Sequence, residues 1–97
     1  MVKVHRSRDG TIRYMREDGV YHREDGPAVE HLDGYKVWFR NGVLHREDGP
    51  AVERPDGVIF FYYNGREMNF EDSAKYVEWV KLQLIQEVQE ESEEGWE

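Results

Sequence analysis

The nine residues His22-Arg23-Glu24-Asp25-Gly26-Pro27-Ala28-Val29-Glu30 recur without change as His45-Arg46-Glu47-Asp48-Gly49-Pro50-Ala51-Val52-Glu53, 23 positions later. Self-similarity at a period of about 20–50 residues marks a repeat array, in which each unit buries its apolar face only against its neighbours. The turn glycines Gly19, Gly42 and Gly65 keep the spacing of 23. A second set, Asp9-Gly10, Asp33-Gly34 and Asp56-Gly57, runs 24 and then 23. The first repeat therefore holds one extra residue between Gly10 and Gly19, which predicts a bulge near Glu17.

Each unit reads as a hairpin. The β-rich run Tyr35-Lys36-Val37-Trp38-Phe39-Arg40 meets Asn41-Gly42, and Val43-Leu44-His45-Arg46 returns. Asn-Gly suits a two-residue turn with positive φ at both positions. Asp18-Gly19 and Asn64-Gly65 are expected to do the same for their own strands. Glu-Asp-Gly-Pro forms the next turn, and a short Ala-Val-Glu strand leads on. Counting back from the turn glycines places Ile12, Tyr14, Tyr35, Val37, Val58 and Phe60 on one face of the sheet. Met15, Trp38 and Phe61 fall on the other.

The third copy ends differently. After Asn64-Gly65 it reads Arg66-Glu67-Met68-Asn69, and the apolar period lengthens from two to 3.6. Asn69 is the expected N-cap, with Asp72 three residues on. The helix should run from about Phe70 to near Glu91 and bury Phe70, Ala74, Val77, Leu84, Ile85 and Val88, with Val80 at the margin. Trp79 and Tyr76 then lie on its outer face. The acidic tail, 90–97, should fray. The fold class is mainly β (α+β), an antiparallel β-hairpin repeat meander of about 23 residues per repeat capped by one C-terminal amphipathic helix. Residues 1–69 form the repeat region, and residues 70–97 the helix and tail of the same domain.

Charge narrows the partners. The chain carries a formal net charge of −8 over 97 residues. Residues 1–69 hold 11 basic against 12 acidic side chains, a net −1; residues 70–97 hold 2 against 9, a net −7. Nucleic acid and anionic membranes need facing positive charge, so neither suits the helix as a direct partner. A protein with a basic surface does. No stretch is long and apolar enough for a membrane span or a signal peptide, so a cytoplasmic location is expected. The absence of cysteine removes disulfides and thiolate metal sites.

Together, the hairpin period, the Gly-x-x-His of the returning strand and the His-Arg-Glu-Asp-Gly-Pro-Ala block resemble the MORN-repeat variant family, specifically small bacteriophage proteins. The likeness covers about residues 9–67 and leaves the helix outside. It implies an open antiparallel meander used as a binding scaffold, with antitoxin-like and anti-defence relatives. Fold alone does not fix function.

The residues themselves favour binding over catalysis. Ser7, Ser73, Ser92 and Thr11 sit in no nucleophile motif, and no His-x-x-x-His pair suggests a metal, so no catalytic residue, metal or cofactor is assigned. A repeated architectural demand explains His, Arg and Asp in each block, satisfying turn amides and pairing across the loop. The alternative is a row of donors, His22, Arg23, His45 and Arg46, gripping a small anionic, nucleotide-like ligand. Tyr76, Trp79, Glu78, Glu87 and Glu90 compose the expected partner-binding face: an aromatic anchor ringed by carboxylates. The favoured function is a non-enzymatic, phage-type inhibitor that occludes a host defence or toxin complex in the host cytoplasm. A ligand sponge is the alternative, and a structural or homodimeric repeat protein a further one.

Overall fold

The computed structural model describes the backbone of residues 2–94, with side chains as far as Glu87 in the helix. Nine short strands precede one helix: β1 (Val2–Arg6), β2 (Ile12–Arg16), β3 (Val29–Glu30), β4 (Lys36–Val37), β5 (Phe39–Arg40), β6 (Val43–Leu44), β7 (Val52–Glu53), β8 (Ile59–Tyr63), β9 (Arg66–Met68) and α1 (Ser73–Glu94). Seven strands form an antiparallel meander in the order β1-β2-β3-β4-β7-β8-β9. β5 and β6 pair with each other as a hairpin tip that leaves the main sheet after Trp38. The expected meander and its C-terminal helix are both present.

The turns come in two chemistries. Asn41 and Asn64 take φ of 53° and 50°, followed by Gly42 at 80° and Gly65 at 82°, as two-residue hairpin turns require. Asp18-Gly19 does not share that form. Only Gly19 has positive φ, and its N–H donates to the Arg16 carbonyl while Arg16 N–H donates to Val20. This is a three-residue loop closed by a glycine bulge, and Glu17 is the extra residue. The same pattern closes at Gly10, Gly34 and Gly57, where Asp9, Asp33 and Asp56 accept the N–H two residues on.

Because the extra residue lies in the turn, strand equivalences shift by one from the count-back. Arg13, Val29, Val37, Val52 and Phe60 are successive cross-strand neighbours. Their chain neighbours Tyr14, Ala28, Trp38, Ala51 and Phe61 make the matching row on the opposite face, since side chains alternate along strands. Tyr14 therefore shares a face with Trp38 and Phe61, not with Val37. Ala28 and Ala51, fully buried, separate the three aromatic rings.

The helix covers the end of the aromatic row, and its buried face differs from the expected one. Tyr76 is 0 % exposed and Val80 is buried, and both cluster with Phe61; Tyr63, Met68, Phe70 and Trp79 pack around them. Tyr76 lies over Phe61 with ring centroids 4.7 Å apart, and Trp79 meets Tyr63 edge-on at 5.2 Å. Ala74, Leu84 and Ile85 are exposed instead. The reason is area and hydrogen bonding together. Tyr and Trp offer the largest apolar surfaces, and the Tyr76 hydroxyl reaches the carbonyls of Arg46 and Tyr62. The N-cap is Asp72, whose carboxylate accepts from Lys75 N–H at 2.9 Å, and not Asn69. Phe70 precedes the helix, which continues to Glu94, beyond the expected end at Glu91. The side chains of Val88 and Glu90, and residues 95–97 of the expected frayed tail, lie outside the described residues.

The packing predicts which helical residues hold the fold. Tyr76→Phe removes a buried donor and should lower unfolding free energy by about 1–3 kcal/mol. Trp79→Ala should cost about 3 kcal/mol, whereas Ile85→Ala should stay within about 0.5 kcal/mol. Urea denaturation of the three variants checks the ranking.

Candidate functional site

In both copies the repeated block folds around its arginine. Arg23 lies 3.9 Å above the Tyr14 ring, and Arg46 lies 3.9 Å above the Trp38 ring. Arg46 donates from Nε to Asp48 at 2.7 Å, and from Nη1 to the Pro50 carbonyl at 3.0 Å and to Glu53 at 2.9 Å. Arg23 does the same with Asp25, Pro27 and Glu30, at 3.1, 3.2 and 3.2 Å. The glycine of each block makes room for this: a Cβ on Gly26 would stand 2.9 Å from the Arg23 guanidinium carbon, and one on Gly49 3.1 Å from that of Arg46. Its demand is close approach rather than positive φ.

The histidines join one repeat to the next. His22 Nδ1 accepts the Asn41 N–H at 2.8 Å, and His45 Nδ1 accepts that of Asn64 at 2.8 Å. An Nδ1 that accepts carries no proton, so the ring proton sits on Nε2. In His45 that nitrogen faces Glu47 Oε2 at 3.0 Å, and Glu47 also receives Arg40 at 3.2 Å. Nearly every residue of the block thus has a structural partner.

Arg23, His45 and Arg46, three of the four candidate ligand-binding residues, line one depression of about 640 Å³ between the two blocks. His22 does not line it. Glu24, Asp25, Glu47 and Asp48 share its walls with Arg23, Arg40 and Arg46, so carboxylates outnumber guanidiniums. An anion entering there would have to displace Asp25 and Asp48 from arginines that also hold the backbone. The depression suits an anion poorly.

A hydroxyl–imidazole pair unmarked by any sequence motif occurs at Thr11 and His31, with Oγ1 and Nδ1 2.9 Å apart. Thr11 is 1 % exposed, so its hydroxyl orients His31 rather than meeting a substrate. Among the described residues no group of three or more His, Asp or Glu side chains could hold a metal ion.

The expected partner-binding residues divide. Tyr76 and Trp79 face the sheet, which corrects their placement on the outer face. Glu78 and Glu87 are exposed, with Glu87 accepting from the Tyr63 hydroxyl at 3.4 Å. Burial, then the neighbouring Glu87 and Glu47 charges, push the Tyr63 hydroxyl above the ordinary tyrosine range, so it remains a donor. The outward face carries Ala74, Glu78, Lys81, Leu82 and Ile85, all exposed. Leu82 is 56 % and Ile85 52 % exposed. Sequence reasoning passed over Leu82 and assigned Ile85 to the core. The register of Tyr76, Val80, Gln83 and Glu87, at i, i+4, i+7 and i+11, was the signal that could have placed both outside.

Comparison with protein-family models, with curated proteins and with solved structures finds no match for this chain.

The block geometry makes its arginine intolerant of a conservative change. Arg46→Lys keeps the charge but loses the planar fork and the ring contact, and should cost about 2 kcal/mol. His45→Ala, which strands the Asn64 N–H, should cost about 1–3 kcal/mol. Thermal and urea unfolding of each variant measure these losses.

Proposed function

We propose that this chain is a small non-enzymatic binding protein that covers a basic surface of a protein partner with the outward face of α1. One observation carries the reading. Leu82 and Ile85 are each more than half exposed on a helix whose opposite face is already occupied by the sheet. Exposed aliphatic side chains three apart, with Glu78 one turn before Leu82, match the composition of a groove-binding helix. The net charge of the segment supports a basic partner: residues 70–97 carry 9 acidic against 2 basic side chains. Net negative charge speeds encounter with such a surface and disfavours acidic partners. The resemblance of the repeats to small phage proteins supports a narrower version, an inhibitor that occludes a bacterial defence or toxin complex in the host cytoplasm. Among the described residues no helix is long and apolar enough to cross a membrane.

A second copy of the chain is the competing occupant of the same face. Sedimentation velocity separates the two, and a monomer across the micromolar range is expected. Leu82→Ser with Ile85→Ser should leave the melting temperature nearly unchanged. The double variant should also fail to retain the protein that the native chain captures from bacterial lysate. Glu78→Gln with Glu87→Gln should slow association with that protein and flatten its salt dependence. Capture undiminished by the Leu82 and Ile85 changes would move the interface elsewhere.

A further inference from the structure

The face of the sheet turned away from α1 is also shaped. Arg13, Val29, Val37, Val52 and Phe60 stand side by side across β2, β3, β4, β7 and β8. Four strand spacings make that row about 19 Å long. Tyr21, Phe39, Leu44 and Tyr62 rise along one side of it, and His31 and Tyr35 along the other, enclosing a groove of about 510 Å³. That volume lies within the range of small-molecule sites. The walls are held by their own contacts, with Tyr21 against Phe39 at 5.3 Å and His31 edge-on to Tyr35 at 5.6 Å.

Its charge is unlike that of the rest of the protein. In a chain with 21 acidic residues, none lines this groove. Its one formal charge is Arg13, at the end of the valine row. Arg16, Arg23, Arg40, Arg46 and Arg54 each hold a carboxylate within 4 Å, but Arg13 holds none among the described residues. It donates to the Ser7 hydroxyl at 2.6 Å. Asp9 feels its charge but is occupied elsewhere: hydrogen bonds from Thr11 come first in holding that carboxyl below the usual range, with Arg13 and His31 adding to them.

We propose that this groove binds a free amphiphilic carboxylate, its apolar chain lying along Val29, Val37, Val52 and Phe60 and its head paired with Arg13. A partly desolvated guanidinium beside an apolar trough favours a single carboxylate, which it can engage with two parallel hydrogen bonds. A nucleotide is a poorer match, because its several charges and its ribose would meet one cation and a floor of valines. A bilayer is poorer still, because the trough is walled along both long sides by aromatic rings and the chain is strongly acidic. This site is separate from the outward face of the helix and is independent of the partner proposed for it.

Titration of the full-length chain with dodecanoate, dodecan-1-ol, AMP and phosphatidylserine vesicles, read by valine and leucine methyl NMR, tests the assignment. Dodecanoate should shift the methyl signals of Val29, Val37 and Val52 and bind at least about tenfold more tightly than the alcohol. AMP and the vesicles should leave those signals in place. Arg13→Met should erase the preference for acid over alcohol while alcohol binding persists. Val37→Phe, which fills the trough without touching Arg13, should weaken dodecanoate at least about tenfold and decides the matter if the Arg13 variant does not fold. Equal affinity for acid and alcohol in the native chain would overturn the proposal. So would unchanged binding to Val37→Phe, methyl shifts confined to Leu82 and Leu84, or shifts of the groove valines by AMP or by vesicles.

Discussion

A guanidinium seated on an aromatic ring is the contact on which the rest of the molecule depends. Arg23 on Tyr14 and Arg46 on Trp38 do more than add a cation–π attraction of about 0.5–2 kcal/mol. Each arginine closes its own turn through an aspartate and a proline carbonyl, and ties the following strand through a glutamate. The alanine beneath must be small so that neighbouring aromatic rings can flank it, and the glycine must be bare for the guanidinium to settle. A chain of this size has a limited apolar core. Planar charged groups lying over rings let it bury surface with residues that keep only part of their side chain in water.

The C-terminal helix belongs to the same scheme. Phe61 is the third ring of the row, and the third repeat lacks the arginine that would cover it. Tyr76 fills that place, with its ring over Phe61 and its hydroxyl on the carbonyls of Arg46 and Tyr62. Burial, then the nearby Tyr63 and Glu47, push that hydroxyl well above the ordinary tyrosine range, which keeps it a donor. The helix is a stopper built from the array's own logic. One face is consumed by this duty, and the other stays exposed, with Leu82 and Ile85 on it.

Much of this was legible in the sequence. The nine-residue identity gives the period, Asn-Gly gives two of the tight turns, and the change of apolar spacing after Asn69 gives the helix. The structural reading of His, Arg and Asp in the blocks agrees with their hydrogen bonds. Two differences have physical causes. Glu17 is an insertion within the turn, so a count back from Gly19 carries its one-residue offset into the strand and puts Tyr14 on the face of Val37. An aliphatic stripe alone would put Leu84 and Ile85 against the sheet, whereas the helix turns Tyr76 and Trp79 there. Their rings bury more area, and Tyr76 satisfies carbonyls that no leucine could reach. The groove row could not be read from one strand at a time. Arg13, Val29, Val37, Val52 and Phe60 become neighbours only through four separate pairings.

The joints between repeats run in one direction. A histidine of one unit holds the turn amide of the next, and Arg16 and Arg40 reach forward to Asn41 and Asn64 in the same sense. The far end is stoppered by the helix, whereas β1 at the near end is exposed along its whole length. In an assembly linked between nearest neighbours, a change at one joint is felt first by the adjoining repeat. The depression between the two blocks is lined by Arg40 and His45, which make two of these joints, so whatever alters its walls also acts on the turn at Asn64.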